Sequence, residues 1–385
     1  MENSILHRFA DELSKLEQTG NCRKLPLFTQ NGSSILREGK NSYNLSSNDY
    51  LNLATDATLR EDFLQLISKD NARFGASSSR LLTGNHSLYE QLESQLSRLF
   101  GTESALVFNS GYHMNVGILP AIADRHTLIL ADKWVHASLI DGIRLSTAQH
   151  LRYRHADYAH LEELLLQHAH RFDRIVIVTE SIFSMDGDCT DLTYLVRLKH
   201  RYTNILLYVD EAHAVGVRGT KGLGCAEEQD CIQEIDFLTG TFGKALASLG
   251  GYLVCRQPIR DYLINKMRTL LFTTALPPIN LMWSIFILER LDRFEDRRQQ
   301  LGKNSLLLKQ LIVAKGYACC SESHILPLII GDSNATVRKA EELERKGFYV
   351  LPIRPPTVPD GTSRIRISLT AEITTALIHQ LAASL

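Results

Sequence analysis

Lys244 stands in FLTGTFGKALASLGG, residues 237–251, after a short apolar stretch and among small residues that leave room for a flat ligand. A lysine becomes a covalent nucleophile when its surroundings favour the neutral amine, although a lone lysine is usually a solvated surface charge. Its company sharpens the reading. ILLYVDEAHAVGVRG ends an apolar run in Asp210, with Glu211 and His213 close behind. A carboxylate at the end of a buried strand is costly without a cationic partner. A protonated pyridine nitrogen is one such partner; a metal ion, or plain solvation of the strand end, is the competing explanation. Ser110 and Gly111 in NSGYHMNVGIL precede a helix start, where unpaired backbone N–H groups and the helix dipole favour an anion such as a phosphate. The plainer role of such a pair is a turn and cap. Thr241, three residues before Lys244, could add a hydroxyl to the same anion or be no more than a β-branched strand residue. His136 in DKWVHASLIDG could lay its imidazole over a planar ring and carry a proton, where a lone histidine is more often structural.

Residues so scattered need a scaffold that gathers them. From residue 86 onward helical and strand patterns alternate: SLYEQLESQLSRLF, HLEELLLQHAHRF and LTYLVRLKHRY read as helices, and ALVF, TLILA, RIVIVTE and ILLYVD as short, continuously apolar strands. That alternation is the signature of an α/β fold with a mostly parallel sheet covered on both faces, whose ligands sit beyond the carboxyl ends of the strands. Before it lies an N-terminal arm, residues 1–45, with a helix predicted from Ile5, Phe9, Leu13 and Leu16 at helical spacing and short strands to follow. The large domain then spans 46–285. Residues 286–385 read as a smaller α+β domain: a long helical stretch, HILPLIIGD, the helix ATVRKAEELERKG, paired strands FYVLPIR and SRIRISL, and a last helix.

Composition narrows the partners. The 385 residues carry 22% charged side chains and a formal net charge of -1 without long single-sign runs, so no electrostatic footprint for nucleic acid or an anionic membrane is present. The acidic, amphipathic start is unlike a secretion signal, and no apolar run is long enough to span a bilayer; a cytoplasmic protein acting on small molecules is expected. The seven cysteines are scattered, and their spacing is not that of metal ligands. Free thiols and no metal site are the expectation.

Taken in order, LSSNDYLNL (45–53), RFGASSSRLLTGNHSLYEQLE (73–93), FNSGYHMN (108–115), HASLIDG (136–142), TESIFSMDGD (179–188), VDEAHAVGVRG (209–219), TGTFGKA (239–245) and IRPPTVPDGTSRIRIS (353–368) resemble the α-oxoamine synthases, fold-type I enzymes that use pyridoxal 5'-phosphate. The resemblance implies a seven-stranded, mostly parallel sheet between helices and a homodimer with shared active sites. It implies that Lys244 covalently holds the cofactor, that Asp210 pairs with the pyridinium nitrogen, that His213 meets the ring hydroxyl and that His136 stacks on the ring. Lys244 and His136 are then the proton-transfer candidates. Ser110, Gly111, Tyr112, Ser184 and Thr241 are implied to surround the cofactor, mainly near its phosphate, with Thr273 or Thr274 reaching the phosphate of the neighbouring subunit. Arg354 resembles the clamp on the amino-acid carboxylate, a task suited to a guanidinium. Asn48 and Thr357 match positions near the substrate, and Arg23 is assigned to the acyl chain, with Cys22 and Lys24 as the alternatives beside it. The segment around IRPPTVP is closest to the branch that condenses L-alanine with a pimeloyl thioester, held by coenzyme A or a carrier protein. Sibling branches that join glycine to a short acyl-CoA, and a non-catalytic structural paralogue, are the competing readings. A nucleotide-binding oxidoreductase is disfavoured because no GxGxxG follows an early strand. The chain departs from the family in ALASLGG after the lysine and in GASSS at 75–79, where relatives carry more glycine.

Overall fold

A computed structural model describes residues 4–385, so the first three residues of the arm lie outside the described residues, as does the side chain of Ile5. The chain divides into two compact units, one of residues 56–184 and 189–298 and the other of residues 1–55, 185–188 and 299–385. The expected division at 45/46 and 285/286 thus becomes a different one: the arm and the C-terminal part make a single unit, joined by four residues from the middle of the chain.

The first unit is built on a seven-stranded sheet in the order Ser104–Phe108, Gly251–Cys255, Phe237–Thr241, Ile205–Asp210, Arg174–Glu180, Thr127–Asp132 and Gln149–Tyr153. Neighbours from 237–241 out to 149–153 run parallel. The strand 251–255 alone is antiparallel to both its neighbours. The four apolar runs singled out in the sequence are all strands of this sheet, three of them central and Ser104–Phe108 at one edge, and they are buried almost throughout because helices cover both faces. Two strands carried no such signal. Gln149–Tyr153 lies at the sheet edge, where four of its five side chains escape full burial, so its sequence is polar. Gly251–Cys255 is fully buried but follows Gly250 directly, so its short apolar pattern merges with the lysine segment. Leu106, Ile118, Ile129, Val176, Tyr208 and Leu253 belong to the apolar core of this unit.

The motif at 73–93 anchors the first strand. Arg80 pairs with buried Glu93 at 2.7 Å, donates to the Val107 carbonyl at 2.9 Å and lies 3.9 Å from the Tyr89 ring centre, while Glu93 also accepts from Val107 N at 3.0 Å. A buried ion pair so fully bonded holds the strand that delivers Ser110 in place.

The second unit holds two small sheets. Thr29–Asn31, Ser34–Arg37 and Lys40–Asn44 form an antiparallel meander, and Phe348–Tyr349 joins it in parallel beside Tyr43 and Asn44. Ile325–Gly331, Ser363–Ser368 and Leu351–Ile353 form the other, with 363–368 in the middle. FYVLPIR is therefore not one strand: it splits between the two sheets, and Pro352 sits on an edge strand, where a missing N–H is tolerated. Asp186 pairs with Arg364 in the same unit, and a Cβ on Gly187 would lie 1.9 Å from the Ile325 carbonyl, so residues 185–188 are tied there through glycine at a position with φ of +71°. Among the described residues no helix is long and apolar enough to cross a membrane.

Candidate active site

The carboxyl ends of the parallel strands deliver the candidate residues one by one. Asp210 ends Ile205–Asp210, with His213 in the turn beyond it; Ser110 follows Ser104–Phe108; His136 follows Thr127–Asp132; Ser184 follows Arg174–Glu180; Thr241 ends Phe237–Thr241 and Lys244 follows. Strand ends that lack a further strand bond leave backbone and side chains open to a ligand.

These residues meet. Lys244 Nζ lies 2.8 Å from His213 Nε2, and His213 is buried. The Asp210 carboxylate, 6% exposed, accepts from Asn115 Nδ2 at 2.7 Å and from Ala212 N at 2.9 Å. An ionised carboxylate can accept about four hydrogen bonds, so capacity for a cationic N–H remains. Ser110 caps the helix Gly111–Ile122, its Oγ accepting from His113 N at 3.1 Å. Asn115 lies one turn along that helix, so the helix joins a possible anion cradle at its start to the buried acid. Thr241 stands beside Gly111, for a Cβ there would be 3.8 Å from its Oγ1. Its hydroxyl donates to the Gly250 carbonyl at 2.9 Å and accepts from Gly243 N at 3.1 Å, so Thr241 shapes the loop that carries Lys244. Tyr112 is exposed and hydrogen-bonds Asp141 through its hydroxyl. Ser184 is half-buried in its loop. Thr273 is half-buried and Thr274 exposed; the Thr274 carbonyl accepts from Asn109 Nδ2, the residue before Ser110 in the same chain.

The substrate candidates belong to the other unit. Arg354 donates to the Gly20 carbonyl and, at 3.3 Å, to the Cys22 carbonyl, and Arg23 donates to Thr357 Oγ1 at 3.0 Å and to the Pro355 carbonyl at 3.5 Å. Burial, then the charge of Arg23, lowers the Arg354 pKa, yet an arginine stays charged at neutral pH. Asn48 Oδ1 accepts from Tyr50 Oη at 3.0 Å and from Arg366 Nη2 at 3.2 Å. Arg354, Thr357 and Arg23 therefore come together, whereas Asn48 belongs to a separate cluster with Arg366.

A lysine, a buried acid at a strand end and a helix start on an α/β sheet form a pattern shared with known proteins. The model of the family described as aminotransferase class I and II matches residues 40–385. The chain belongs to that family. Among its relatives, a protein of Glaesserella parasuis serovar 5 (strain SH0165) is 56% identical over 370 residues, covering 96% of this chain and 97% of that one, and a protein of Pasteurella multocida (strain Pm70) is 53% identical over 382 residues, covering 99% of each. Both are named, provisionally, 8-amino-7-oxononanoate synthase. A serine palmitoyltransferase variant from S. paucimobilis, solved with bound PLP and myriocin, is 27% identical with a TM-score of 0.89, covering 99% of this chain and 96% of that one. An 8-amino-7-oxononanoate synthase from Francisella tularensis is 28% identical with a TM-score of 0.76, covering 89% of this chain and 96% of that one. This aminotransferase-family chain is thus a pyridoxal-phosphate-dependent enzyme of the α-oxoamine synthase type.

The residues present fit that cofactor. A buried acceptor for a ring N–H, an amine beside it and an open helix start for a phosphate lie along one loop-and-helix system, and nothing crowds Gly111, whose nearest side-chain neighbour would be 3.7 Å from an added Cβ. The backbone behind the cradle is tight: a Cβ on Gly251 would lie 2.9 Å from Gly111 N and 3.0 Å from Gly111 Cα. Gly251→Ala is expected to push the helix start and weaken pyridoxal-phosphate binding by about tenfold, the lower end of what overpacking costs. Titrating the cofactor-free variant with pyridoxal phosphate checks this; unchanged affinity in a folded variant would mean the cradle does not bind the phosphate.

Two carboxyl groups beside Asp210 escaped the sequence reading as functional residues. Glu180 is buried and accepts from His136 N at 2.5 Å; burial, then the charge of Asp210, pushes its pKa well above the usual carboxylate range. Glu211 accepts from Ser181 Oγ at 2.5 Å, Cys225 N at 3.0 Å and Ala226 N at 2.7 Å, binding together the loops on either side of Asp210. The TES and DEAH segments carried the signal, but only burial distinguishes these acids from surface ones. Burial raises the Glu211 pKa from 4.5 to about 7. In that window the folded state keeps a proton that the unfolded state has lost, so stability contributed by the protonated form is present below the unfolded pKa and lost as pH rises towards 7. Denaturant unfolding at pH ~5 and ~8 is expected to show this slope, and Glu211→Gln is expected to flatten it. A slope unchanged in that variant would assign it to another group.

Proposed function

We propose that the enzyme condenses L-alanine with a pimeloyl thioester, carried by coenzyme A or a carrier protein, to give 8-amino-7-oxononanoate, carbon dioxide and the free thiol, a step in biotin synthesis. The observation that carries this reading is the 56% identity, over nearly the whole of both chains, to a relative bearing that name, in a chain that keeps Lys244, Asp210 and His213 together. The Pro-rich loop after Ile353 supports it.

When bound, the cofactor supplies a protonated ring that draws an electron pair away from the amino-acid Cα. The chain's own groups do the rest. Lys244 holds the cofactor at rest, and its released Nζ takes the Cα proton and later returns one. Asp210 keeps the ring nitrogen protonated, an arrangement that its burial strengthens. His213 would hydrogen-bond the ring hydroxyl, and His136 would stack on the ring. Ser110, Gly111, Tyr112, Ser184 and Thr241 surround the phosphate end. Arg354 binds the alanine carboxylate by two parallel N–H bonds, and releases the Gly20 and Cys22 carbonyls to do so. Arg23 serves the acyl side, and Asn48 and Thr357 stand near the substrate.

The working form in this reading is a homodimer in which Thr273 or Thr274 reaches the partner's phosphate. Phe74, Leu81, Leu82 and Phe272 are 58–76% exposed on two segments joined by the Ser79–Thr274 bridge. Exposed apolar side chains gathered beside a site suit an interface.

The test is the visible spectrum of the purified enzyme with L-alanine, glycine or L-serine, followed by pimeloyl-CoA and mass analysis of the product. Perturbation by alanine at the lowest concentration, and product only with the pimeloyl thioester, is the expected result. A preference for glycine would assign the chain to a sibling branch, and failure to take up pyridoxal phosphate would remove the enzyme reading altogether.

A further inference from the structure

The hydrogen bonds behind Asp210 determine more than its orientation. Its carboxylate only accepts, so the amide nitrogen of Asn115 must face it, at 2.7 Å. That fixes the rest of the Asn115 side chain, whose Oδ1 accepts from Tyr208 Oη at 2.6 Å and whose Nδ2 also donates to Ser138 Oγ at 3.0 Å. Ser138 Oγ, which accepts that bond, lies 2.8 Å from His136 Nδ1. Ser138 N donates to Nδ1, at 3.2 Å, as the cap of the helix Ala137–Leu145. A backbone N–H is always a donor, so Nδ1 receives two hydrogen bonds and carries no proton. Asn115 and Ser138 are each 1% exposed, and water does not compete for these bonds.

We propose that Asn115 and Ser138 are positioning residues that lock His136 as the neutral Nε2–H tautomer, so that His136 meets the substrate as a hydrogen-bond donor at Nε2 and leaves the proton transfers at Cα to Lys244. The role toward substrate rests on the proposed condensation; the tautomer does not. Among the described residues none hydrogen-bonds to His136 Nε2, which leaves that N–H for a carbonyl or carboxylate oxygen of a ligand. Adding a proton at Nδ1 would set it against the Ser138 N–H and reverse the Ser138 hydroxyl. Burial is also the largest influence on the ring, lowering its pKa from 6.5, with Lys244 acting in the same direction and Asp210 and Asp141 opposing it.

The experiment is 15N NMR of the holoenzyme labelled in its histidine rings, with His136 assigned through His136→Asn. The expected spectrum has a proton on Nε2 and none on Nδ1, unchanged between pH ~6 and ~8. Ser138→Ala keeps the backbone N–H and with it the tautomer, but loses the hydroxyl donor to Nδ1 and is expected to raise the protonation midpoint by about one pH unit, the worth of a hydrogen bond, while Ser138→Thr keeps the wild-type ring. A wild-type ring protonated at Nδ1, or doubly protonated at neutral pH, overturns the proposal, as does an unchanged midpoint in Ser138→Ala. If the ring behaves as expected but no condensation with a pimeloyl thioester occurs, the assigned reaction fails and the tautomer lock stands.

Discussion

Lys244→Ala is expected to lower kcat by about 10⁴-fold, the upper range for removing a proton-transfer group, while leaving the fold intact. Lys244 is half-buried, and its amine meets His213 Nε2 at 2.8 Å. Truncation leaves His213 without that partner but opens no large cavity in the apolar core. The variant should therefore unfold close to wild type in denaturant and still take up pyridoxal phosphate reversibly, because Asp210, proposed for the ring nitrogen, and the helix start, proposed for the phosphate, remain. Steady-state rates with L-alanine and pimeloyl-CoA, together with dialysis against cofactor-free buffer, separate the two roles. Cofactor that dialyses away from the variant but not from the wild type would identify the covalent anchor. Full activity in the variant would refute the assignment.

The second large effect is expected at Asp210. Asp210→Asn removes a negative charge from a site where only 6% of the residue is exposed, and the loss of one such preorganised group typically costs about 10²–10³ in kcat. A stability cost accompanies it. The two carboxylate oxygens accept from Asn115 Nδ2 and Ala212 N; an asparagine offers one oxygen, so its NH₂ group faces a donor at the other position. Leaving a buried donor unpaired costs about 1–3 kcal/mol, readable as a lower denaturation midpoint in the absence of cofactor. An unchanged kcat would exclude Asp210 as the partner of the ring nitrogen, and an unchanged midpoint would mean that the Asn115 side chain turns over to accept.

Much of this was legible before any tertiary structure. The apolar runs ALVF, TLILA, RIVIVTE and ILLYVD are strands because full burial on both faces demands unbroken apolar sequence, and Asp210, His136, Ser110 and Lys244 could be placed after strands for the same reason. The edge strand Gln149–Tyr153 was not legible, since four of its five side chains escape full burial and need not be apolar, whereas Ser104–Phe108 at the other edge is buried throughout. Nor was the split of FYVLPIR, because the choice between two sheets is made by distant partners, Tyr43 and Asn44 on one side and Arg364 to Arg366 on the other.

The same division runs through the site. Residue type and local spacing alone determined the chemical inventory of a lysine able to act as nucleophile, an acid at a strand end and a glycine at a helix start; the arginine suited to a carboxylate came from the resemblance of its motif to the family's. Tertiary structure decided which of these groups share hydrogen bonds and in which protonation state. Asn115 and Asp210 lie 95 residues apart in the chain, and nothing in the helix pattern of NSGYHMNVGIL marks Asn115 as the partner of a buried carboxylate. Glu180 and Glu211 differ from surface acids only in being buried beside Asp210, and Arg354 meets the carbonyls of Gly20 and Cys22 across more than three hundred residues. Periodicity is a local property that the chain carries along its length; desolvation and hydrogen-bond partnership arise only when distant segments exclude water together.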